Sequence, residues 1–322
     1  MPPIVILLPT YDDWESACIL IPKLHEVLSD AATPVEYLLV DDGSVVPPPT
    51  EISIPGSPSP GVSVLRLRRN LGNQRAIAVG LAWVHLNMPC SAIAVMDSDG
   101  EDTPQGLKLL LDAFEKAGRT KMIFAARRRR TEGPMFRILY ACYKILHRIL
   151  TGRAIRAGNF SVMASGHLSR LVAVPELWSH YPAAVFKARL PQESVPADRG
   201  HRLAGSSSMN LTSLVMHGLS ASAVFAEVVA LRLLAATFGF AWLALVGLGV
   251  VVAIRFGTDL AIPGWATLSA GVLIIILFQA FLMASVFVLL TLHGRSSLGF
   301  LPIRDHVYFV DGVHRIHVRG ST

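Results

Sequence analysis

Cysteine is scarce in this sequence, and the signatures of several common enzyme classes are missing from it. The three cysteines, Cys18, Cys90 and Cys142, share no spacing typical of a metal site or a redox pair, which fits a reducing compartment. No G-x-G-x-x-G or P-loop occurs, so a dinucleotide-binding or ATPase function has no support. H-E-x-x-H and G-x-S-x-G are also missing, which removes the usual zinc protease and serine hydrolase templates. No nucleic-acid-binding motif accompanies the net charge of +6.

Charged residues are absent from two long stretches near the C-terminal end. None occurs from Leu233 to Ile254 or from Leu260 to Leu292, and both stretches exceed the roughly 20 residues that a bilayer-spanning helix needs. The whole chain is 52% hydrophobic with a mean hydropathy of +0.48, which is too apolar for an ordinary soluble enzyme. The connection Arg255–Gly264 is short, so we predict an antiparallel transmembrane hairpin in preference to two buried core helices.

Basic residues are unevenly distributed around this hairpin. The segment before it is rich in arginine, and His293, Arg295 and Arg304 follow it, whereas the connecting loop carries only Arg255 against Asp259. By the positive-inside rule, we expect an integral membrane protein whose catalytic domain and both termini are cytoplasmic, as in a bacterial inner-membrane protein.

Residues 1–126 alternate short β-rich runs with segments of helical periodicity. This alternation predicts an α/β domain with a mostly parallel sheet and helices on both faces. The predicted strands are Ile4–Leu8, Val35–Val40, Val62–Leu67, Ala92–Met96 and Met122–Ala125, and the predicted helices are Trp14–Leu28, Gln74–Leu86 and Pro104–Lys116.

Polar residues follow four of these predicted strands. Ligands on such sheets bind beyond the carboxyl ends of the strands, so we expect the polar residues to line one site. They are Thr10–Asp13, Asp41–Ser44, Arg69–Asn70 and the acidic residues that follow Met96.

Four carboxylates crowd the end of the fourth predicted strand. Asp97, Asp99, Glu101 and Asp102 fall within six positions, and like charges so close repel unless a cation lies between them. Hard oxygen ligands suit Mg²⁺ or Mn²⁺, which keep open positions for substrate phosphates. An acidic turn that caps a helix is the alternative, because an isolated D-x-D is a common pattern.

The segment from Arg119 to Arg156 is strongly basic. In helical projection Arg137, Lys144 and Arg148 share one face and apolar residues occupy the other, which is typical of a helix lying in the membrane interface. A helix packed on the globular core with a solvated basic face is the alternative. A second amphipathic helix is predicted from Met209 onward.

These patterns predict four parts of the chain. Residues 1–126 form the α/β part, and residues 127–229 form a part with the interfacial helices. Residues 230–292 form the transmembrane hairpin, and residues 293–322 form a cytoplasmic tail. In that tail Asp311-Gly312 stands between two alternating runs, which predicts a type I′ β-hairpin.

Taken together, the motifs resemble the family 2 glycosyltransferases. The closer likeness is to the membrane-attached branch that uses polyprenyl phosphate and includes dolichyl-phosphate mannosyltransferases and bactoprenol glucosyltransferases. The likeness rests on Pro9–Asp13, Val40–Ser44, Arg69–Leu81, Val95–Pro104, the Arg127/Arg130 segment, Gly158-Asn159-Phe160 and Arg202–Met209. It implies that residues 1–126 are the nucleotide-sugar-binding α/β part of a catalytic domain with a GT-A-type sheet, and that residues 127–229 are its acceptor-side part. It also implies a divalent cation, Mg²⁺ or Mn²⁺, as cofactor.

The resemblance also implies a role for individual residues. Asp13 and Asp41 would contact the base and ribose of the donor, and Arg127 and Arg202 the diphosphate or the lipid phosphate. The implied catalytic residues are Asp97, Asp99, Arg127 and Arg202; the implied substrate-binding residues are Pro9, Tyr11, Asp13, Asp41, Asp42, Arg69, Arg75 and Arg130; and the implied metal ligands are Asp97, Asp99 and Glu101. Asp12 and Ser208 depart from the family pattern, which has Asn and Lys there.

The resemblance predicts an inverting transfer of a sugar from a UDP- or GDP-linked donor to polyprenyl phosphate at the cytoplasmic membrane face, in the biosynthesis of cell envelope glycans. Two alternatives stay open. One is transfer to another lipid or to a polysaccharide, although the Q-x-x-R-W signature of polymerising relatives is missing. The other is a membrane scaffold that keeps the nucleotide-sugar fold without catalysis. Association into a homo-oligomer also stays open.

The predicted topology can be tested with reporters. A reporter fused after Thr322 should be cytoplasmic, and one inserted at Asp259 should lie on the far side of the membrane, because the basic residues flank the hairpin rather than its loop. Paired alkaline phosphatase and green fluorescent protein fusions at the two positions would report the sides. Finding both reporters on the same side would contradict the spans or their pairing.

Overall fold

The computed structural model describes residues 2–29, 33–55, 60–127, 145, 147–152, 158–205, 220, 223–258, 264–296 and 299–320. The chain forms two compact units. The sheet unit comprises Met1–Phe136, Ile155–Val224 and Gly299–Thr322, and the helical unit comprises Arg137–Ala154 and Phe225–Leu298. The chain therefore passes between the units four times, and its C-terminal residues belong to the sheet unit.

The sheet unit is built on one eight-stranded sheet. The parallel strands β1, β2, β4 and β5 form its centre, β7 pairs antiparallel with both β5 and β6, and β9 pairs antiparallel with β4 at one edge. The strand order is β8-β6-β7-β5-β1-β2-β4-β9, and a separate two-stranded sheet pairs β10 with β3. The strands are β1 Ile4–Thr10, β2 Val35–Asp41, β3 Glu51–Ser53, β4 Gly61–Leu67, β5 Ala92–Val95, β6 Met122–Arg127, β7 Ser161–Ala164, β8 Gln192–Ala197, β9 Val310–Arg315 and β10 His317–Arg319.

Helices lie on both faces of this sheet, as the alternating pattern predicts. Alternate residues of β1 pack against α1 and α3 on one face and against α2 on the other, so the whole strand is buried and apolar. The helices of the sheet unit are α1 Trp14–Leu28, α2 Asn73–Asn87, α3 Pro104–Lys116, α4 Leu168–Leu171, α5 Tyr181–Lys187 and α8 Pro302–Asp305, with 3₁₀ turns at Ser165–His167, Pro175–Trp178 and His306–Tyr308. The predicted fold class is confirmed, and the predicted bounds of α1 and α3 are those observed.

The predicted β-hairpin in the C-terminal tail is wrong. Strand β9 continues through Asp311 and Gly312 with a shift of register at Asp311, and Gly312 pairs with Arg66 of β4. A type I′ turn needs positive φ at both central residues, and neither Asp311 nor Gly312 has it. The free edge of β4 offers a row of backbone donors and acceptors, and pairing with that edge replaces the local turn.

The helical unit contains α6 Ala226–Gly257 and α7 Trp265–Ser296. The two helices form a hairpin-like pair in which Gly247 lies against the side chain of Leu273. Their mean hydropathies of 2.3 and 2.8 make them long and apolar enough to cross a membrane, and most of their described side chains are exposed.

The predicted interfacial helices fall mostly outside the described residues. Arg137 and Lys144 lie outside them, as does most of the segment that follows Met209. Within the described part of the first helix, Arg148, Ile145 and Ile149 are exposed. Its placement at a membrane interface stays a prediction.

The packing of α2 on the sheet can be tested at Gly80. A Cβ atom at this position would lie 2.7 Å from Cγ2 of Val40 and 2.8 Å from Cδ1 of Leu7, both of them buried. Gly80→Val should lower the free energy of unfolding by about 1–3 kcal/mol, the usual cost of overpacking a core. Gly166→Ala is the control, since a Cβ there meets nothing within 4 Å. Denaturant unfolding followed by circular dichroism would contradict this packing if both variants kept the wild-type midpoint.

Candidate functional site

The carboxyl ends of β5, β1, β2 and β4 lie side by side, because these four strands are parallel neighbours in the sheet. The polar residues that follow them therefore meet at one edge. This edge holds Asp13, Asp41, Arg69 and Asp97, each supplied by the loop or residue at the end of a different strand. The sequence prediction of a shared site at the strand ends agrees with this placement.

The acidic turn after β5, residues 97–102, is held together by its own carboxylates. The backbone N–H of Asp97 donates to Asp102 at 3.0 Å, and the backbone N–H of Glu101 donates to Asp99 at 3.0 Å. Oδ1 of Asp97 also accepts a hydrogen bond from Nδ2 of Asn73 at 3.0 Å. Burial raises the pKa of Asp99, and the neighbouring charges of Asp97 and Glu101 raise it further, while Arg202 opposes the rise.

Arg202 bridges two of the site carboxylates. Its Nη2 lies 2.6 Å from Oδ2 of Asp13, and its Nη1 lies 3.5 Å from Oδ2 of Asp99. Its Nε donates to the carbonyl of Ala204 at 2.9 Å, which fixes the guanidinium plane. The sequence assigned Asp13, Asp99 and Arg202 to one site through the family resemblance, and the structure brings the three together.

The residues around Arg202 are joined to the acidic turn by backbone hydrogen bonds. Gly200 N–H donates to the carbonyl of Glu101 at 2.8 Å, and Leu203 N–H donates to that of Asp99 at 2.9 Å. Arg199 forms an ion pair with Glu101. Sequence reasoning missed Arg199, because only the fold brings it beside a carboxylate about a hundred positions away.

The two aspartates at the end of β2 have different environments. Oδ1 of Asp41 accepts from Ser44 N–H at 2.8 Å, while its buried Oδ2 has no hydrogen-bond partner among the described residues, the nearest cation being Nε of Arg66 at 3.9 Å. Both oxygens of Asp42 accept backbone N–H groups at 2.7 Å, from Leu71 and Gly72. Asp42 therefore holds the segment after β4 in place, and its contact with substrate stays a prediction.

The remaining predicted substrate residues line or border this edge. Pro9 is buried and its carbonyl accepts a hydrogen bond from the Ser98 hydroxyl at 3.0 Å, whereas Tyr11 is 48% exposed. Arg69 and Arg75 are exposed and lie over aromatic rings. Arg127 is the last residue of β6 but its side chain lies outside the description, as does the whole of Arg130.

The three predicted metal ligands are not gathered around one point. The described residues contain no group of three or more His, Cys, Asp and Glu side chains placed to hold a metal ion. Glu101 forms an ion pair with Arg199, whereas the ion-pair contact of Asp99 to Arg202 is longer, at 3.5 Å, and its other oxygen accepts the backbone N–H of Glu101. Mg²⁺ usually takes one or two protein carboxylates and completes its shell with water and phosphate oxygens. The donor set of Asp97 and Asp99 fits such an ion, and Glu101 fits it less well.

Residues 5–165, half of the chain, match the model of Glycosyl transferase family 2. The chain belongs to this family. The matched residues span strands β1–β7 and include the carboxylates at the ends of β1, β2 and β5. The fold is of the GT-A type, as the resemblance implied. Arg202 and the C-terminal tail lie beyond the matched residues.

This glycosyltransferase is 23% identical over 274 residues, 83% of each chain, to an uncharacterized glycosyltransferase of Synechocystis sp.. Among solved structures it is similar to mannosyl-3-phosphoglycerate synthase from Rubrobacter xylanophilus, with a TM-score of 0.49, 16% identity and coverage of 70% of this chain and 73% of that one. It is also similar to glucosyl-3-phosphoglycerate synthase from Mycobacterium tuberculosis in complex with Mn²⁺, uridine diphosphate and glucosyl-3-phosphoglycerate, with a TM-score of 0.46, 14% identity and coverage of 72% and 80%.

The buried carboxyl of Asp42 gives the stability of this glycosyltransferase a specific pH dependence. Burial raises the pKa of Asp42 to about 6 in the folded protein, above its ordinary value of 3.8. The folded state therefore holds this proton more tightly, and the resulting stability is present in full below pH 4 and is lost as the pH rises to about 6. The loss should amount to at most about 3 kcal/mol.

Asp42→Asn cannot titrate, so its free energy of unfolding should lack this decline between pH 4 and 6. Carboxylates that do not interact with Asp42 contribute equally to both proteins and cancel in the difference, whereas the neighbouring charge of Asp41 is part of the effect that is measured. Denaturant unfolding at pH 4, 5, 6 and 7 would measure the difference in the free energy of unfolding between the two proteins. Parallel pH profiles would contradict a raised pKa of Asp42.

Proposed function

We propose that this family 2 glycosyltransferase moves a sugar from a UDP- or GDP-linked donor to polyprenyl phosphate at the cytoplasmic face of a membrane, with inversion at the anomeric carbon. The observation that carries the proposal is the strand-end site in which Arg202 lies between Asp13 and Asp99. A site of this kind presents carboxylates for a nucleotide and a cation, and a guanidinium for phosphate.

The nucleoside part of the donor fits the β1 and β2 ends of the site. Oδ2 of Asp41 is a buried acceptor without a hydrogen-bond partner in the described part of the chain. A buried carboxylate oxygen left unpaired is costly, and a ribose hydroxyl or a base N–H would satisfy it. The exposed Tyr11 borders the same edge and offers an aromatic face to a base.

The diphosphate fits the acidic turn. Asp97 and Asp99 would hold a divalent cation there, and that ion would neutralise charge on the departing nucleoside diphosphate as a Lewis acid. With the charge of Asp99 matched in this way, Arg202 would no longer be needed as its partner. The guanidinium would then be free to donate to a phosphate oxygen while keeping its 2.6 Å contact with Asp13.

The acceptor needs to be positioned rather than deprotonated. A phosphate monoester has a second pKa near 6, so it is largely dianionic at neutral pH and is already a nucleophile. One of its oxygens attacks the anomeric carbon, the bond from that carbon to the donor diphosphate breaks, and the nucleoside diphosphate departs with the electron pair. The protein must bring two anions together, and the arginines at Arg127–Arg130 and Arg202 supply the opposing charge.

The helical unit supports a lipid acceptor. A polyprenyl chain does not leave a bilayer without a large hydrophobic cost, so its enzyme has to work at the membrane surface. Helices α6 and α7 are apolar over lengths sufficient to cross a bilayer, and their side chains are largely exposed.

The test uses the full-length protein in membranes, incubated with a panel of labelled UDP- and GDP-sugars and polyprenyl phosphate. We expect a polyprenyl-phosphate sugar, identified by mass spectrometry, that disappears in excess chelator. Asp99→Asn should reduce turnover by at least about a hundredfold, since it removes a major electrostatic stabiliser of the leaving group. The matched control is Asp112→Asn, which changes an exposed aspartate of α3.

Wild-type turnover in Asp99→Asn, or full activity in chelator, would contradict the role of the acidic turn. Transfer of sugar only to other acceptors would leave the donor side intact and overturn the lipid acceptor. Donor binding without transfer to any acceptor would favour the scaffold alternative.

A further inference from the structure

The C-terminal tail contributes two aromatic rings to a cluster that lies beside the arginines bordering the proposed donor site. Phe300 and Phe309 of the tail pack with Trp178, which ends the 3₁₀ turn Pro175–Trp178. The ring centroids of Trp178 lie 3.8 Å from those of Phe300 and 5.0 Å from those of Phe309, and Phe300 and Phe309 are 5.6 Å apart. We call Trp178, Phe300 and Phe309 the aromatic cluster.

An arginine guanidinium lies over two of the three rings. The Cζ atom of Arg69 lies 5.9 Å from the ring centre of Phe309, and that of Arg75 lies 5.2 Å from the ring centre of Trp178. Both distances are within the range of about 6 Å over which a cation is attracted to a ring face. No arginine lies over Phe300 in the described part of the chain.

The backbone between the two arginines is fixed against the site. The backbone N–H groups of Leu71 and Gly72 donate to Asp42, and the side-chain amide of Asn73 donates to Asp97. Gly43 allows the close approach at the other end, since a Cβ there would lie 2.6 Å from the carbonyl carbon of Arg69. The segment 69–75 is therefore held between the acidic positions of β2 and β5, and only its long side chains still have to be oriented.

The two arginines make no ion pair with any carboxylate of the described residues. An arginine paired with a carboxylate has its charge neutralised and its donors occupied, whereas a ring face orients the guanidinium and leaves its N–H donors free. A cation held in this way is ready to bind an anion. The nucleotide sugar is the anion expected at this edge.

The tail that carries Phe309 is itself firmly attached to the sheet unit. Arg68 N–H donates to the carbonyl of Phe309 at 2.8 Å, and Ile303 N–H donates to the carbonyl of Val172 at 3.1 Å. Strand β9 starts at the next residue and pairs with β4. The ring under Arg69 is thus placed by backbone hydrogen bonds on both of its sides in the sequence.

We propose that Phe309 and Trp178 are positioning residues for Arg69 and Arg75, and that the two cations bind the anionic part of the nucleotide sugar. This inference rests on the proposed use of a nucleotide donor at the strand ends. It assigns to the chain after α7 a part in donor binding. The alternative role of the rings is to pack the tail against the sheet unit without any effect on the arginines.

The aromatic cluster offers its own control. Phe309→Leu and Trp178→Leu each remove an aromatic ring that lies under an arginine. Phe300→Leu removes a ring that has no arginine over it among the described residues. Titration calorimetry of the full-length protein in detergent would measure the dissociation constants of UDP and GDP, each with Mn²⁺. We expect Phe309→Leu and Trp178→Leu to weaken binding of the preferred nucleotide about two- to fivefold. Phe300→Leu should bind as wild type does, and Phe309→Tyr should keep wild-type affinity because it keeps the ring.

A double-mutant cycle separates orientation from packing. In an Arg69→Gln background, Phe309→Leu should cause no further loss of affinity, since the cation that it orients is gone. Equal affinities for wild type and Phe309→Leu, an equal loss in Phe300→Leu, or a full additional loss in the Arg69→Gln background would each overturn the inference. If Phe309→Leu does not fold, Trp178→Leu with Arg75→Gln gives the same cycle. Failure of the wild type to bind either nucleotide would instead overturn the proposed donor, and the inference with it.

Discussion

The repulsion among carboxylates at one edge of the sheet is the constraint on which the rest of the site depends. Parallel neighbouring strands bring their carboxyl ends together. Asp13, Asp41 and Asp97–Asp102 lie at these ends or a few residues beyond them, so their carboxylates meet at one edge of the sheet. Like charges in a partly buried edge are costly without compensation. The chain compensates with Arg199 and Arg202 and with backbone N–H groups, and it leaves Oδ2 of Asp41 unpaired among the described residues.

The second half of the chain therefore supplies the counter-ions for carboxylates that lie in the first half. The donor-side carboxylates lie within the matched residues 5–165, but their counter-ions come from residues 199–202, after β8. The aromatic rings under Arg69 and Arg75 come from Trp178 and from the tail beyond α7. The matched residues thus contain the carboxylates of this electrostatic arrangement together with Arg69 and Arg75, whereas Arg199, Arg202 and the supporting rings lie beyond residue 165.

Local periodicity predicts the elements well where burial and local capping agree. Helix α3 has its predicted bounds because Thr103 caps its first turn, Pro104 occupies a position where no N–H is needed, and its apolar face packs on the sheet. Strands β1, β2 and β5 are predicted because they are largely buried and read as apolar runs, whereas β4 is predicted from alternating apolar and polar residues. The family resemblance, rather than any local pattern, supplied Arg202 and Asp13 as members of one site.

What the sequence could not predict depends on contacts between distant segments. Asp311-Gly312 has the composition of a tight turn, yet the unpaired edge of β4 is about 250 residues earlier in the chain and no local pattern reports it. The ion pair of Arg199 with Glu101 and the two hydrogen bonds of Asp42 to the segment after β4 are hidden for the same reason. Each of these contacts is selected by the tertiary fold, and the residues next to either partner in the sequence do not indicate which distant residue it will contact.

The late arrival of β9 also has a consequence for folding. Without β9, β4 would be an edge strand with unpaired backbone groups next to the proposed donor site, and exposed edges of this kind pair readily with other chains. Closing it requires a contact across about 250 residues, including both long apolar helices, which makes it a slow step because loop closure must precede the reward of pairing. Once formed, the new edge strand β9 carries exposed Asp311, His314 and Arg315, charged or polar side chains that oppose further strand addition. The same pairing places Phe309 beneath Arg69, so the contact that closes the sheet edge is also the one by which we propose that the tail supports the donor site.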